Sequence, residues 1–251
     1  MSKLKNKVAI VTGASKGIGA SIAKYFAAEG AKVVVNYASS KEDAENVVKA
    51  ITANGGTAIA VQGDVSKESD VTRLFEETKK AFGTLDILVN NAGIYQYAPI
   101  EEFSAASFHS QFNINVLGSL LAIQESLKLF GEKGGNIINI SSEAGKTPLP
   151  TGAVYSATKA ALDAITIALS KEFSGRNIRI NSILPGVVET EGSRSAGFIG
   201  SDAEAKFVAT TPLGRTGQPE DIAKVAVFLA SDDSGWITGE KISVSGGLYG
   251  L

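Results

Sequence analysis

Seven short runs of aliphatic and β-branched residues recur along this chain, each followed by a longer stretch of helical character or a glycine-rich turn. That alternation leaves few folds open. Residues 7–12 (KVAIVT), 32–36 (KVVVN), 57–62, 85–89 (LDILV), 136–140 (NIINI), 178–183 and 241–244 read as strands. Between them, residues 18–29, 41–53, 69–82, 104–130, 154–173 and 220–230 read as helices. Gly30 falls where a helix commonly ends in a left-handed residue, and Asn54-Gly55-Gly56 stops the second helix. Strands that are apolar on both faces and separated by helices imply a parallel sheet covered on both sides. The expectation is a single-domain, doubly wound (Rossmann) α/β fold of about seven strands. Its ligand should lie beyond the carboxyl ends of the strands.

The 251 residues are 44% hydrophobic and 20% charged, which suits one compact domain with a sizeable core. A formal charge of -2 offers nothing to nucleic acid or to an anionic membrane. The chain has no cysteine, so disulfides and thiolate chemistry are excluded, and a lone His109 cannot build a multi-histidine zinc site. No metal is expected. The basic start resembles a leader, but the apolar run that follows is short and breaks at Thr12-Gly13, unlike a signal segment. No stretch approaches the roughly eighteen apolar residues of a membrane span. A cytoplasmic location is the expectation.

After the first predicted strand comes Thr12-Gly13-Ala14-Ser15-Lys16-Gly17-Ile18-Gly19, leading into a helix. Glycines there allow a tight turn and close backbone approach, while the helix start presents free N–H groups to a pyrophosphate. The spacing is G-x-x-x-G-x-G, which a simple strand-to-helix connector could also carry. Gly13, Ser15 and Gly17 also satisfy the G-x-S-x-G nucleophile elbow of hydrolases. That reading needs a late histidine and an oxyanion loop. His109 stands mid-chain in a helical segment, and no such loop is present.

Tyr155 and Lys159 are four residues apart on a predicted helix and so share a face, with Ser142 thirteen residues before the tyrosine. A nearby ammonium favours phenolate, so Lys159 is expected to lower the pKa of Tyr155 toward the range useful for acid–base chemistry. Alone, such a pair also occurs on ordinary helix surfaces. Together with the glycine loop and Asn90-Asn91-Ala92-Gly93 after the fourth strand, it makes the chain resemble the short-chain dehydrogenase/reductase family, classical subfamily. Within that family the resemblance is to 3-oxoacyl-[acyl-carrier-protein] reductases and glucose 1-dehydrogenases, and it runs from about Lys7 to the C-terminus.

The resemblance implies an enzyme moving a hydride between a nicotinamide cofactor and a carbonyl or alcohol. It assigns Asn115, Ser142, Tyr155 and Lys159 to catalysis, with Asn115 preferred over Asn113 and Ser142 over Ser141. Tyr155 would donate the proton, Ser142 would polarise the carbonyl, Lys159 would hold the ribose, and Asn115 a relay water. The cofactor would be bound by Gly13, Ser15, Lys16, Gly17, Ile18 and Gly19. Asp64 and Val65 would contact the adenine. Asn90, Asn91, Ala92 and Gly93, together with Tyr155 and Lys159, complete the cleft, and Pro185, Gly186, Val188 and Thr190 would hold the amide end.

The end of the second strand bears on the choice of cofactor. An acidic residue there usually selects NAD. Asn36, followed by Tyr37, Ala38 and Ser39, does not repel a 2′-phosphate, and Lys16 adds a cation, so NADP(H) is expected over NAD(H). The pocket rim is expected at residues 94–97, 143–145 and 187–211, the last as a glycine- and serine-containing substrate lid. A small-molecule ketone or 3-oxoacyl substrate is the first expectation, sugar oxidation the second, and a non-catalytic nucleotide-binding regulator the third. The helix over 154–173 is small or apolar around much of its circumference, which points to subunit contact and, by the resemblance, a homotetramer.

Overall fold

The computed structural model describes residues 2–173 and 175–248. Its strands are β1 (Val8–Val11), β2 (Lys32–Tyr37), β3 (Thr57–Gln62), β4 (Ile87–Asn90), β5 (Gly135–Ile140), β6 (Ile178–Pro185) and β7 (Lys241–Val244). They form one sheet in the order β3-β2-β1-β4-β5-β6-β7, and each neighbouring pair runs parallel. The expected doubly wound architecture is therefore present.

Period-two alternation along the strands builds two cores. On one face, Ala9, Val11, Val33, Val35 and Ile138 pack against three helices: α1 (Gly17–Ala28), α2 (Lys41–Ala53) and α9 (Pro219–Ala230). On the other, Val8, Ile10, Val34, Leu88 and Ile137 pack against α3 (Glu68–Phe82) and α5 (Gly118–Leu129), while α6 (Ala153–Glu172) also covers β6. With both faces covered, the strands carry apolar residues on both sides.

The single long helix expected over 104–130 is broken. Ser104 caps α4 (Ala105–Phe112), its hydroxyl accepting from Ser107 N at 3.1 Å. The chain then widens into a π-helical turn over Asn113–Leu117 before α5 resumes. Such a turn inserts a residue into the helical register and so re-aims one side chain, here Asn115. Gly118 permits the close approach of α5 to the loop after β3: a Cβ there would lie 2.8 Å from Val65 Cγ2 and 3.0 Å from Val65 O. Segment 187–211, expected as a substrate lid, contains two helices, α7 (Glu191–Ser195) and α8 (Asp202–Thr210). Both start at a hydroxyl cap, Thr190 and Ser201 respectively. Among the described residues, no helix is long and apolar enough to cross a membrane.

Candidate active site

The sheet changes direction of winding between β1 and β4, and the two loops leaving these strands are tied together there. Thr12 Oγ1 accepts from Asn91 N and Ala92 N, each at 3.0 Å, and donates to Val89 O at 3.2 Å. Asn91 Nδ2 returns two bonds, to Thr12 O (2.9 Å) and Gly13 O (3.0 Å). Gly13 and Gly17 hold φ of 60° and 55°, the left-handed region open to glycine. A Cβ on Gly13 would lie 2.8 Å from Ala92 Cα, and one on Gly19 would strike Asn91 Nδ2 and sit 2.7 Å from Gly13 O. The glycine spacing is thus demanded by backbone contact.

A cleft of about 380 Å³ lies over this junction, lined by Gly13, Ser15–Gly19, Asn36, Ala38–Ser40, Gly63–Val65, Asn91–Ile94, Ile114 and Thr190–Gly192. No side chain caps the start of α1, so its first amides face the cleft. One is already engaged: Gly17 N donates to Glu191 Oε2 at 2.9 Å. Glycines packed so closely, beside an open helix start and an anion-accepting amide, fit the pyrophosphate of a dinucleotide.

Several expected cofactor contacts are differently placed. Asn36 is 1% exposed and its side chain is turned into the fold. Its Oδ1 accepts from Gly13 N (3.2 Å), and its Nδ2 donates to Val61 O (3.3 Å) and Gly63 O (3.0 Å). Its side chain thus ties the glycine loop to the end of β3. Tyr37 is buried in the core. Ala38, Ser39 and Ser40 are the residues of this stretch that line the cleft beyond the strand end. Lys16 is paired with Asp43 at 2.9 Å, which, through a hydrogen bond and its charge, raises the lysine's pKa. Asp64 accepts from Ser66 N (3.0 Å) and Ser66 Oγ (2.7 Å), shaping the turn beside Val65. Asn90 lies in the core, donating to Asn139 Oδ1 at 2.9 Å, while Asn91, Ala92 and Gly93 line the cleft.

A second cavity of about 590 Å³ adjoins the first, sharing Ile18, Asn91, Gly93, Ile94 and Thr190 with it. Ser142, Tyr155, Lys159, Pro185, Gly186 and Val188 line it. Ser142 acts on the phenol of Tyr155, opposing the rise of its pKa, and Ser142 Oγ accepts from Ala144 N at 3.1 Å. Ser141 points elsewhere, donating to Lys159 O at 3.2 Å. Lys159 Nζ donates to Ile140 O at 2.9 Å and lies 5.8 Å above the centroid of the Tyr155 ring. Asn115 accepts from Ile94 N (2.8 Å) and donates to Ile94 O (2.8 Å) and Thr158 Oγ1 (3.0 Å). Asn113, in contrast, is exposed. The position of a Cβ on Gly93 is 3.3 Å from Asn115 Oδ1 and 3.6 Å from Lys159 Nζ, so both groups flank that glycine.

The electrostatics depart from the expectation for Tyr155. Burial drives its phenol above the usual value of 10, Ser142 opposes that rise, and Tyr95 adds to it. The Lys159 ammonium is pushed by burial from 10.5 to about 8, against the pull of Asp163. Asp163, one turn further along α6, went unread in the sequence although it continues the four-residue spacing of Tyr155 and Lys159. Burial raises its carboxyl pKa, opposed by Ser141, Lys241, Ser182 and Lys159. Glu143 was assigned only to the pocket rim, yet neither of its buried carboxylate oxygens has a hydrogen-bond partner. His109 is exposed on α4 with its ring edge-on to Phe108, and no triad forms with Ser15.

Three outcomes follow from these contacts. Asn36→Asp sets a carboxylate against the Val61 and Gly63 carbonyl oxygens and should cost about 1–3 kcal/mol in denaturant unfolding; unchanged stability would contradict the bonding described. Lys159 titrates near 8 when folded and near 10.5 when unfolded. Folding is therefore penalised where both states are charged, and the penalty fades between those pH values. Wild type should gain about 3 kcal/mol on Lys159→Met over that window, against a pH-independent difference if the lysine is not depressed. Glu191→Gln weakens an internal competitor for the Gly17 amide. It should tighten dinucleotide binding roughly three- to tenfold in calorimetry, whereas weaker binding would assign the carboxylate a supporting role.

Residues 13–249 match a family model described as enoyl-(acyl carrier protein) reductase. An uncharacterized oxidoreductase of Methylorubrum extorquens is 58% identical over 248 residues, covering 99% of this chain and 100% of its own. The 3β-hydroxysteroid dehydrogenase 1 of Eggerthella lenta is 40% identical, covering 98% of this chain and 94% of its own. A crystal structure of a short-chain dehydrogenase from Burkholderia cenocepacia in complex with NADP superposes with a TM-score of 0.91 at 34% identity, covering 98% and 99% of the two chains. With the glycine cleft, the Ser142–Tyr155 contact and these likenesses in agreement, the chain belongs to the short-chain dehydrogenase/reductase family of oxidoreductases.

Proposed function

We propose that this chain is an NADP(H)-dependent carbonyl reductase, converting a ketone or 3-oxoacyl carbonyl to a secondary alcohol. The observation that carries this is the Ser142–Tyr155 hydroxyl pair in a cavity adjoining the glycine-lined cleft. A nicotinamide dinucleotide, when bound, supplies the hydride.

The protein's own groups handle the oxygen and the proton. Ser142 and Tyr155 hydroxyls converge so that one carbonyl oxygen can accept from both, an arrangement that stabilises developing alkoxide charge. Burial keeps the phenol protonated, which suits donation in the reductive direction. Lys159, charged at neutral pH and fixed on Ile140 O, places a positive charge beside the ring that becomes anionic on giving up its proton. Asn115, bonded to both backbone groups of Ile94, fixes the 93–94 turn next to Lys159; its role in holding a relay water is part of this proposal.

The preference for NADP(H) rests on the absence of a carboxylate from Asn36 to Ser40, on the Ser39 and Ser40 hydroxyls at the cleft, and on the NADP complex of the Burkholderia relative. Segment 187–211, with α7 and α8, is read as the lid, since Ser193, Ala196, Phe198 and Phe207 line the substrate cavity. Ala157, Ala160, Ala164 and Ala168 form an exposed stripe on α6, and Leu117 and Leu120 are exposed on the adjoining segment, as a homotetramer would require.

Tyr155→Phe should lower kcat by about two orders of magnitude or more, with NADPH affinity kept, since only the proton donor is lost. Ketone reduction followed by NADPH absorbance measures this. A variant turning over at near-wild-type rate would remove Tyr155 from the mechanism.

A further inference from the structure

Three tyrosine rings meet at the reacting end of the larger cavity. Tyr95 stands edge-on to Tyr155 with centroids 6.2 Å apart, Tyr97 lies 5.8 Å from Tyr155, and Tyr95 and Tyr97 are 6.0 Å apart. Tyr95 and Tyr97 are 46% and 48% exposed although both line a concave surface. Large aromatic faces left in water inside a cavity gain most when a ligand covers them. The lid segment adds a second aromatic pair, Phe198 edge-on to Phe207 at 5.7 Å, and Leu149 adds an aliphatic wall.

Charge is withheld from this space. Among the described residues lining it, Lys159 and Glu143 are the only lysine, arginine, histidine or acidic side chains, and both are buried, Lys159 being committed to Ile140 O. No arginine and no other lysine awaits a phosphate or carboxylate. A polyhydroxylated substrate would leave many of its hydroxyls against aromatic and aliphatic walls, an unfavourable exchange for water. Part of the 590 Å³ is where Pro185, Gly186, Val188 and Thr190 would hold the nicotinamide, and the space left to the substrate is the part walled by Tyr95, Tyr97, Leu149, Phe198 and Phe207.

We infer that the substrate is an uncharged, fused-ring ketone carrying an aromatic ring, seated against the faces of Tyr95 and Tyr97 with its carbonyl at Ser142 and Tyr155. This rests on the carbonyl-reductase reading above and narrows it to a substrate class. Tyr95 and Tyr97 become the specificity-determining residues, because aromatic contact adds to what area alone provides.

The test compares 2-tetralone with 2-decalone, which share one fused skeleton and differ in aromaticity, alongside the linear ester ethyl acetoacetate. The enzyme with NADPH should favour 2-tetralone over 2-decalone by roughly tenfold in kcat/KM, chiefly through KM, and over the linear ester by more. In the Tyr95→Leu/Tyr97→Leu variant the tetralone-to-decalone ratio should fall below about threefold, both positions being exposed enough to accept leucine without loss of the fold. Equal use of tetralone and decalone, a preference for the linear ester, or a ratio unchanged in the double variant would overturn the inference while leaving carbonyl reduction standing. An enzyme that binds NADPH and turns over none of these ketones would overturn both.

Discussion

One threonine hydroxyl ties together the two loops that leave β1 and β4. At the point where the helices on β1 and β4 depart to opposite faces, the strand ends separate and their amides lose ladder partners. Thr12 Oγ1 accepts two of those amides and donates to Val89 O, while Asn91 answers by donating to the two carbonyls at the end of β1. Without that exchange the crevice of a doubly wound sheet would be a pair of loops free to drift. With it, the glycine loop and the turn before Ile94 are held at contact distance, and the floor of the cleft is set.

Burial decides the electrostatics above that floor. Interaction between charges is strong in a low-dielectric interior, yet the cost of removing a charge from water is larger still. The phenol of Tyr155 therefore rises and the ammonium of Lys159 falls, although proximity alone would move each the other way. Neutral groups, Ser142 beside the phenol and Ile140 O accepting from the ammonium, replace part of the lost hydration. A protonated phenol thus stands beside an ammonium that burial has made easier to deprotonate.

Much of this was legible in the sequence. Periodicity located the seven strands, because residues buried on both faces of a parallel sheet must be apolar at successive positions. Tyr155 and Lys159 stand out by their spacing, Asn91 and Ser142 by the family resemblance, and all four line two adjoining cavities. What escaped depended on direction and on distant partners. Asn36 was read by its nearness to the strand end, but the pleat turns its side chain toward Gly13 and Gly63. Lys16 finds Asp43 on another helix, and the π-helical turn at Asn115 is supported by Ile94 from a separate loop. Helices α7 and α8 are too short for a periodic signal, and only their caps at Thr190 and Ser201 mark them. The effect of burial on Tyr155 has no signature in a four-residue spacing.

The groups nearest the chemistry are moored to main chain: Lys159 to Ile140 O, Asn115 to both backbone groups of Ile94, Asn91 to the carbonyls of residues 12 and 13. Backbone atoms are the same whatever side chain a position carries. Much of the cavity wall, by contrast, is side chain, with Leu149, Ala196, Phe198 and Phe207 among it. Substitution can therefore remodel the walls over a wide range while the anchors stay where they are. In a lineage that diversifies by what it accepts, this division lets appetite change without retooling the reaction.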